Sequence, residues 1–550
     1  MTRMKISRYM LLAASGVALT MSACRSFEEI NTNQQEVTVE MSSRDGIAVG
    51  GPMQALQRQV NPVGTTADGT NVANDYQVAY HLGADVWSGY FGQNNNWNSG
   101  SNFTTFYMIE GWLGQAFTES YTKTYTPWLS IKNNPTTENH PENFALAQIL
   151  KVSAWSKTTD CYGPMPYTKA GSSSYLIPYD SQEVVYKTML KELDEAVQAL
   201  DTYGAAKILP DYDLVYNGDT QKWIKYANSL MLRLAMRTRF ADAELARTYA
   251  EKAVNHPVGV MTEVNDQAKI DKAHGVQYIN NIETFAVQYG ECRMGVPMFS
   301  YLVGYEDPRL PKYFRPSTHP EAIWVDFLYE TYLPYPIGAN APRQMPTDGP
   351  TSRGLSSIPN IEKETPTYWM RASEVAFLRA EGALVGWSMQ GDAASLYRQG
   401  IELSFAENGI GADQVDSYIN NVNRPVPVDL SSWSPFRHTF EMKSTATTAF
   451  EGSTEEKLEK IITQKWIALY PNGMEAWTEW RRTGYPYIAD PIENRSFGIV
   501  SNQEKVRRMQ YPVKSARSEE EQKVYDDAVV LLGGPDNQAT KLWWDKKNSK

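Results

Sequence analysis

The tightest constraint on the fold is a stripe. Tyr186, Met189, Leu190, Leu193, Val197 and Leu200 recur at three- and four-residue steps, with charged residues opposite. An α-helix returns to the same face at that period, so this stretch is predicted as an amphipathic helix with one buried side. The pattern comes back along the chain. Asp219 stands where a helix start needs a side-chain acceptor, ahead of Trp223, Ala227, Leu230 and Leu234 on the buried side. A partner follows with Leu245, Tyr249 and Ala253. A further pair reads as Trp369 to Val385, Gly386 as a stop, then Ala393, Leu396, Ile401 and Phe405. Leu458, Ile461, Ile462, Trp466 and Leu469 give another helix. Paired helices joined by short turns predict a stack of helix-turn-helix repeats, although the strict repeat consensus of roughly 34 residues is absent. Between them lie long irregular stretches at 83–103, 255–300, 315–366 and 406–452. Such loops carry ordering entropy without core burial, and so are usually functional.

The N-terminus predicts the compartment. Arg3, Lys5 and Arg8 precede an apolar run from Tyr9 to Met21, which ends in Ser22-Ala23-Cys24. The run suits a secretory signal and falls short of the roughly 20 residues of a spanning helix. Small residues leading to a cysteine form the pattern cut by lipoprotein signal peptidase. Residues 1–23 are therefore read as a signal peptide and Cys24 as the lipidated mature N-terminus. Residues 24–45 are read as a polar tether, and 46–550 as a single domain. Each buried methylene adds about 0.8 kcal/mol of membrane affinity, so two or three acyl chains make a lasting anchor.

Three positive charges and no negative ones leave with the signal, taking the formal charge from −11 to −14. An acidic chain without a basic run has no electrostatic footprint for nucleic acid. Cys161 and Cys292 read as separate buried thiols, and the six histidines have no ligand spacing, so neither a metal nor another cofactor is expected. With 15 Trp, 33 Tyr and 17 Phe the chain holds more rings than its core helices absorb. Several gather in Trp87-Ser88-Gly89-Tyr90-Phe91-Gly92-Gln93-Asn94-Asn95-Asn96-Trp97-Asn98. Rings beside amides suit sugars, whose C–H faces stack on aromatics while their hydroxyls take hydrogen bonds. Trp87, Tyr90, Trp97 and Asn98 are the first candidates for ligand contact. Trp324, Tyr329, Tyr332 and Tyr335 form a second group.

Several strings, in order, resemble one family. They include Asp160-Cys161-Tyr162-Gly163-Pro164-Met165-Pro166-Tyr167, then Trp223 to Leu230 with Arg233, and Asp307-Pro308-Arg309-Leu310. Ser373-Glu374-Val375-Ala376-Phe377-Leu378-Arg379-Ala380-Glu381 and Gln464-Lys465-Trp466 follow. Glu475-Ala476-Trp477, Arg481-Arg482-Thr483-Gly484-Tyr485-Pro486 and a tail from Gly533-Gly534 to Trp543-Trp544 complete the set. Together, behind a lipoprotein signal, they resemble the SusD/RagB nutrient-binding outer-membrane lipoproteins. The resemblance implies an all-α dominated SusD-like fold, with four tetratricopeptide-like helix pairs packed against a loop-rich second half. It implies a surface lid of a SusC-type TonB-dependent transporter that binds an oligosaccharide without catalysis and touches the membrane through its lipid alone. Glu28-Glu29 resembles an export signal to the outer face. Oligopeptide is the alternative ligand, and a surface glycoside hydrolase the alternative class. Within the strings, Trp223, Asn228 and Arg233 fit helix–helix seams.

An enzyme is disfavoured on geometry. A glycosidase needs two carboxylates roughly 5–9.5 Å apart. Glu374 and Glu381 lie about 10.5 Å apart along one helix, at about 1.5 Å per residue. Arg371 and Arg379 are their expected ion-pair partners. No zinc-protease helix, nucleophile elbow or phosphate loop is present, and no Asp-rich loop has calcium spacing.

Overall fold

The computed structural model describes residues 46–272, 278–339, 356–433 and 436–547. The signal, Cys24 and the tether lie outside the described residues. Four helix pairs form the scaffold. They are α1 (Ile47–Val60) with α2 (Lys123–Lys132), α3 (Pro141–Tyr162) with α4 (Gln182–Tyr203), α5 (Thr220–Thr238) with α6 (Ala243–Val254), and α7 (Ala372–Leu384) with α8 (Ala393–Glu407). Neighbouring pairs stack through α1 on α3, α4 on α5 and α5 on α7. Then α9 (Thr454–Leu469) packs on α7 and α10 (Gly473–Thr483), and α11 (Glu519–Leu532) closes the series.

The stripes become the seams. On α4 the buried side carries Tyr186, Met189, Leu190, Leu193, Val197 and Leu200. Its first turn is capped by the Ser181 hydroxyl, and that of α5 by Asp219, which accepts from the Lys222 amide at 3.1 Å. Gly386 follows α7 at φ +83°, a conformation cheap only for glycine. The α7 boundary differs from expectation: Thr367–Met370 is a strand and the helix begins at Ala372. Trp369 is pulled out of the helix because its strand pairs with Ala268–Ile270, far away in sequence.

Among the described residues, eight short strands tie the connections to one another in four antiparallel pairs. They are β1 (Phe91–Gln93) with β3 (Cys292–Met294), β2 (Ala268–Ile270) with β6 (Thr367–Met370), β4 (Ile323–Val325) with β5 (Glu330–Tyr332), and β7 (Val428–Leu430) with β8 (His438–Phe440).

Seven charged residues of the sequence strings (Asp160, Arg233, Glu374, Glu381, Lys465, Glu475 and Arg482) meet in one buried network between α3, α5, α7, α9 and α10. Arg233 grips Glu374 at 2.6 and 2.7 Å, Arg237 reaches Asp160 at 2.8 Å and also holds Glu475, and Arg482 bridges Glu381 and Glu479, each at 2.6 Å. Lys465 pairs with Glu479. The expected partners of Glu374 and Glu381 are therefore corrected. Neither Arg371 nor Arg379 pairs with them. Arg379 donates to the Met389 and Gln390 carbonyls, and Arg371 lies 4.0 Å over the Tyr368 ring. Sequence neighbours on one helix lost to guanidiniums from facing helices, where the acids are buried. Cys161 and Cys292 are both unpaired and buried, and burial pushes the Cys161 thiol up to about 12.

Candidate functional site

Strand β1 launches the ring-rich loop. Once past Gln93, the chain is fixed by its own amides: the Asn94 N–H donates to the Glu291 carbonyl at 2.9 Å, and the Asn95 side chain to the Glu291 carboxylate at 2.6 Å. Both residues are buried, so these two amides hold the scaffold. The next residues turn outward. Trp97 is half-buried and Asn98 exposed. Asn98 and Ser99 both take left-handed backbone, at φ +51° and +53°, a conformation that asparagine tolerates and that costs Ser99 about 1 kcal/mol or more. Arg495 pins the turn from outside, donating to the Ser99 carbonyl at 2.7 Å and the Ser101 hydroxyl at 3.2 Å. Its own N–H bonds the Thr105 carbonyl at 2.7 Å.

The rings form a ladder from core to surface. Trp87 stands against Trp477 and Phe103, Phe103 meets Trp112 edge-on at 5.3 Å, and Trp112 meets Trp97 edge-on at 6.5 Å. Two residues beyond Arg495, Phe497 is 83% exposed at φ +56° and meets Tyr107 edge-on at 6.0 Å. Trp97 and Phe497 thus reach the surface on the partly buried rings Trp112 and Tyr107, and Trp112 is backed by the buried Phe103 and Trp87.

The second group divides. The β4–β5 hairpin leaves Trp324 55% exposed and Tyr329, at φ +53°, 80% exposed, with the two rings edge to face at 6.5 Å. Downstream the chain dives inward. Tyr335 is buried between Trp433 and Phe436, donates its hydroxyl to Asn94 at 3.2 Å, and hydrogen-bonds the Met294 carbonyl through its N–H at 2.7 Å. The segment carrying the hairpin is thereby locked to the strand pair that launches Trp97. A Cβ on Gly92 would stand 2.6 Å from the Tyr335 carbonyl oxygen, so that close approach requires glycine.

Four expected contact residues are corrected. Trp87 is 2% exposed and its indole N–H donates to the Phe103 carbonyl at 2.8 Å. Tyr90 is wholly buried and donates to the Trp466 carbonyl, and burial, reinforced by Tyr313 and nearby carboxylates, drives its phenol well above the ordinary range. Tyr332, bonded to Glu330 at 3.1 Å, and Tyr335 are also fully buried. Their rings are worth more as core than exposed, at about 1.5–3 kcal/mol per large side chain. Trp97, Asn98 and Trp324 remain at the surface. Tyr107, Trp112 and Phe497 escaped the sequence reading, and the only hint was an aromatic beside glycine in Gly111-Trp112 and Phe497-Gly498.

This is a helical-repeat scaffold presenting rings and amides on loops, and Glu374, Glu381, Glu475 and Glu479 within the helix stack are engaged by buried cations. Among the described residues no helix is long and apolar enough to cross a membrane, and no cluster of three His, Cys, Asp or Glu side chains has metal-site geometry. The sequence matches the family described as SusD-like, Susd and RagB outer membrane lipoprotein, over residues 29–545. The chain belongs to that family. Its solved relatives include a chitin-binding SusD homologue from Flavobacterium johnsoniae, 33% identical, with a TM-score of 0.80, over 91% of this chain and 99% of that one. SusD homologues from Bacteroides uniformis (34% identity) and Bacteroides ovatus (33%) have the same TM-score of 0.80 and the same coverage, 91% of this chain and 99% of theirs. No curated protein matches the sequence.

Proposed function

We propose that this protein is a surface-facing outer-membrane receptor, anchored through lipid on Cys24, that binds an oligosaccharide without catalysis. We further propose that residues 46–550 act as one unit, the lid of a SusC-type TonB-dependent transporter. The observation that carries the ligand reading is the exposed, strained loop: Trp97 on Trp112, Asn98 beside it, and Phe497 on Tyr107 across the Arg495 clamp. Flat rings strip water from sugar C–H faces, and adjacent amides take the hydroxyls. Trp324 and Tyr329 offer a second stacking pair. Family membership and a chitin-binding relative support the same ligand class. Glu374 and Glu381, the best catalytic candidates, are each held by a buried guanidinium, which favours a receptor over a hydrolase.

The test is a glycan and peptide array on the mature protein in detergent, followed by titration with the best oligosaccharide. Trp97→Ala is expected to weaken binding about tenfold, equivalent to about 1.4 kcal/mol, the worth of one stacked ring. Unchanged affinity would remove this loop from the site, and retention of peptides alone would overturn the sugar reading.

A further inference from the structure

A cavity of about 670 Å³ shares no lining residue with the ring patch. Its walls come from the start of α2 and the helical segment Gln115–Thr122 that runs into it, the α3–α4 connection around 174–179, and the chain from Tyr511 to Tyr525. The size lies within the roughly 300–1,000 Å³ of small-ligand sites. Tyrosines dominate it, and the scaffold fixes several through their hydroxyls. Tyr125 accepts from the Gly171 N–H at 2.8 Å, and Tyr525 donates to Asp536 at 3.0 Å. Their rings are thus positioned as walls. Tyr175 is different, with 92% of its surface in solvent. Tyr121, which lines the same cavity, is only 7% exposed, and its hydroxyl has no hydrogen-bond partner among the described residues.

The charges give the ligand a sign. Lys514 is paired with Glu521 at 2.9 Å. Arg517 lies 4.1 Å over the Tyr525 ring and donates to the Pro512 carbonyl at 3.3 Å, and no described carboxylate forms an ion pair with it. The charged lining residues are thus Lys514, Arg517 and Glu521, with Arg517 the cation left without an ion pair among the described residues. A planar guanidinium matches a carboxylate or sulfate by a two-pronged hydrogen bond, and the tyrosine walls match a pyranose face.

We propose that this cavity is a second carbohydrate subsite, selective for an anionic sugar unit whose ring lies between the tyrosines and whose acid group meets Arg517. The inference rests on the glycan reading of the protein but uses none of the residues that carry it. Titration calorimetry of the mature protein with trigalacturonate, its methyl ester and an acidic proline-rich peptide tests it. The acid is expected to bind, and the ester at least tenfold more weakly. Arg517→Gln and Tyr175→Ala should each weaken the acid about tenfold, since each removes one charge-assisted or stacking contact. Tyr175 is exposed enough that folding is not at issue, and Trp97→Ala should leave the acid unaffected. The proposal fails if neither trigalacturonate nor sialylated or sulfated oligosaccharides bind, if acid and ester bind alike, if only Trp97→Ala matters, or if the peptide binds in place of the sugars. Loss of neutral oligosaccharide at Trp97, with no acid bound here, would refute this subsite alone.

Discussion

Glu479 is the carboxylate on which the buried network turns, and Glu479→Gln measures what it contributes. It accepts from Arg482 at 2.6 Å and Arg237 at 3.2 Å, and it pairs with Lys465. Arg482 keeps Glu381 when Glu479 is neutralised, and Arg237 keeps Asp160 and Glu475. Lys465 keeps no ion pair among the described residues, and its side chain is wholly buried. The substitution therefore leaves one buried cation without an ion pair among the described residues, with Glu374 and Glu475 acting on it at longer range. Breaking a buried pair from one side costs about 3–5 kcal/mol, and the shared arginines place this case toward the lower figure. Urea denaturation of the mature protein should show a loss of about 3 kcal/mol. Lys465→Met in the Glu479→Gln background removes the orphan and should recover part of the loss. Acid sensitivity supplies a second reading. Burial alone would raise the Glu479 carboxyl, but Arg482, Lys465 and Arg237 outweigh it and hold it well below 4.5. Its contribution is thus complete above the unfolded value near 4.5 and drains away as pH falls toward the folded one. The variant should lose stability less steeply on acidification. A loss under about 1 kcal/mol at neutral pH, or no rescue by Lys465→Met, would refute the reasoning.

Two further substitutions separate core rings from surface rings. Tyr90→Phe strands the Trp466 carbonyl and should cost about 1–3 kcal/mol in denaturant while leaving oligosaccharide affinity as it was, so a selective loss of affinity would restore Tyr90 to the site. Phe497→Asn relaxes a left-handed residue and should add about 1 kcal/mol of stability while weakening oligosaccharide binding; unchanged binding would make Phe497 a bystander.

The sequence by itself determined the elements whose two faces differ. Helices α4, α5, α6, α8 and α9 each set an apolar stripe against a polar one, and caps such as Asp219 and stops such as Gly386 are local events encoded in a few neighbouring residues. Helix α3 carries no such stripe: the polar Lys151, Ser153, Thr158 and Asp160 are interspersed among its buried apolar residues. Ring composition marked loop 87–98, but not which rings face water, since a tryptophan beside glycine reads the same in either place. Tertiary structure alone decided that Trp87 and Tyr90 fill the core, that Arg495 reaches the Ser99 turn from nearly four hundred residues downstream, and that Glu374 and Glu381 pair across helices. The physical reason is common to all three. Burial and ion pairing depend on which distant surfaces meet, and a one-dimensional pattern records a residue's own preference without recording its neighbour.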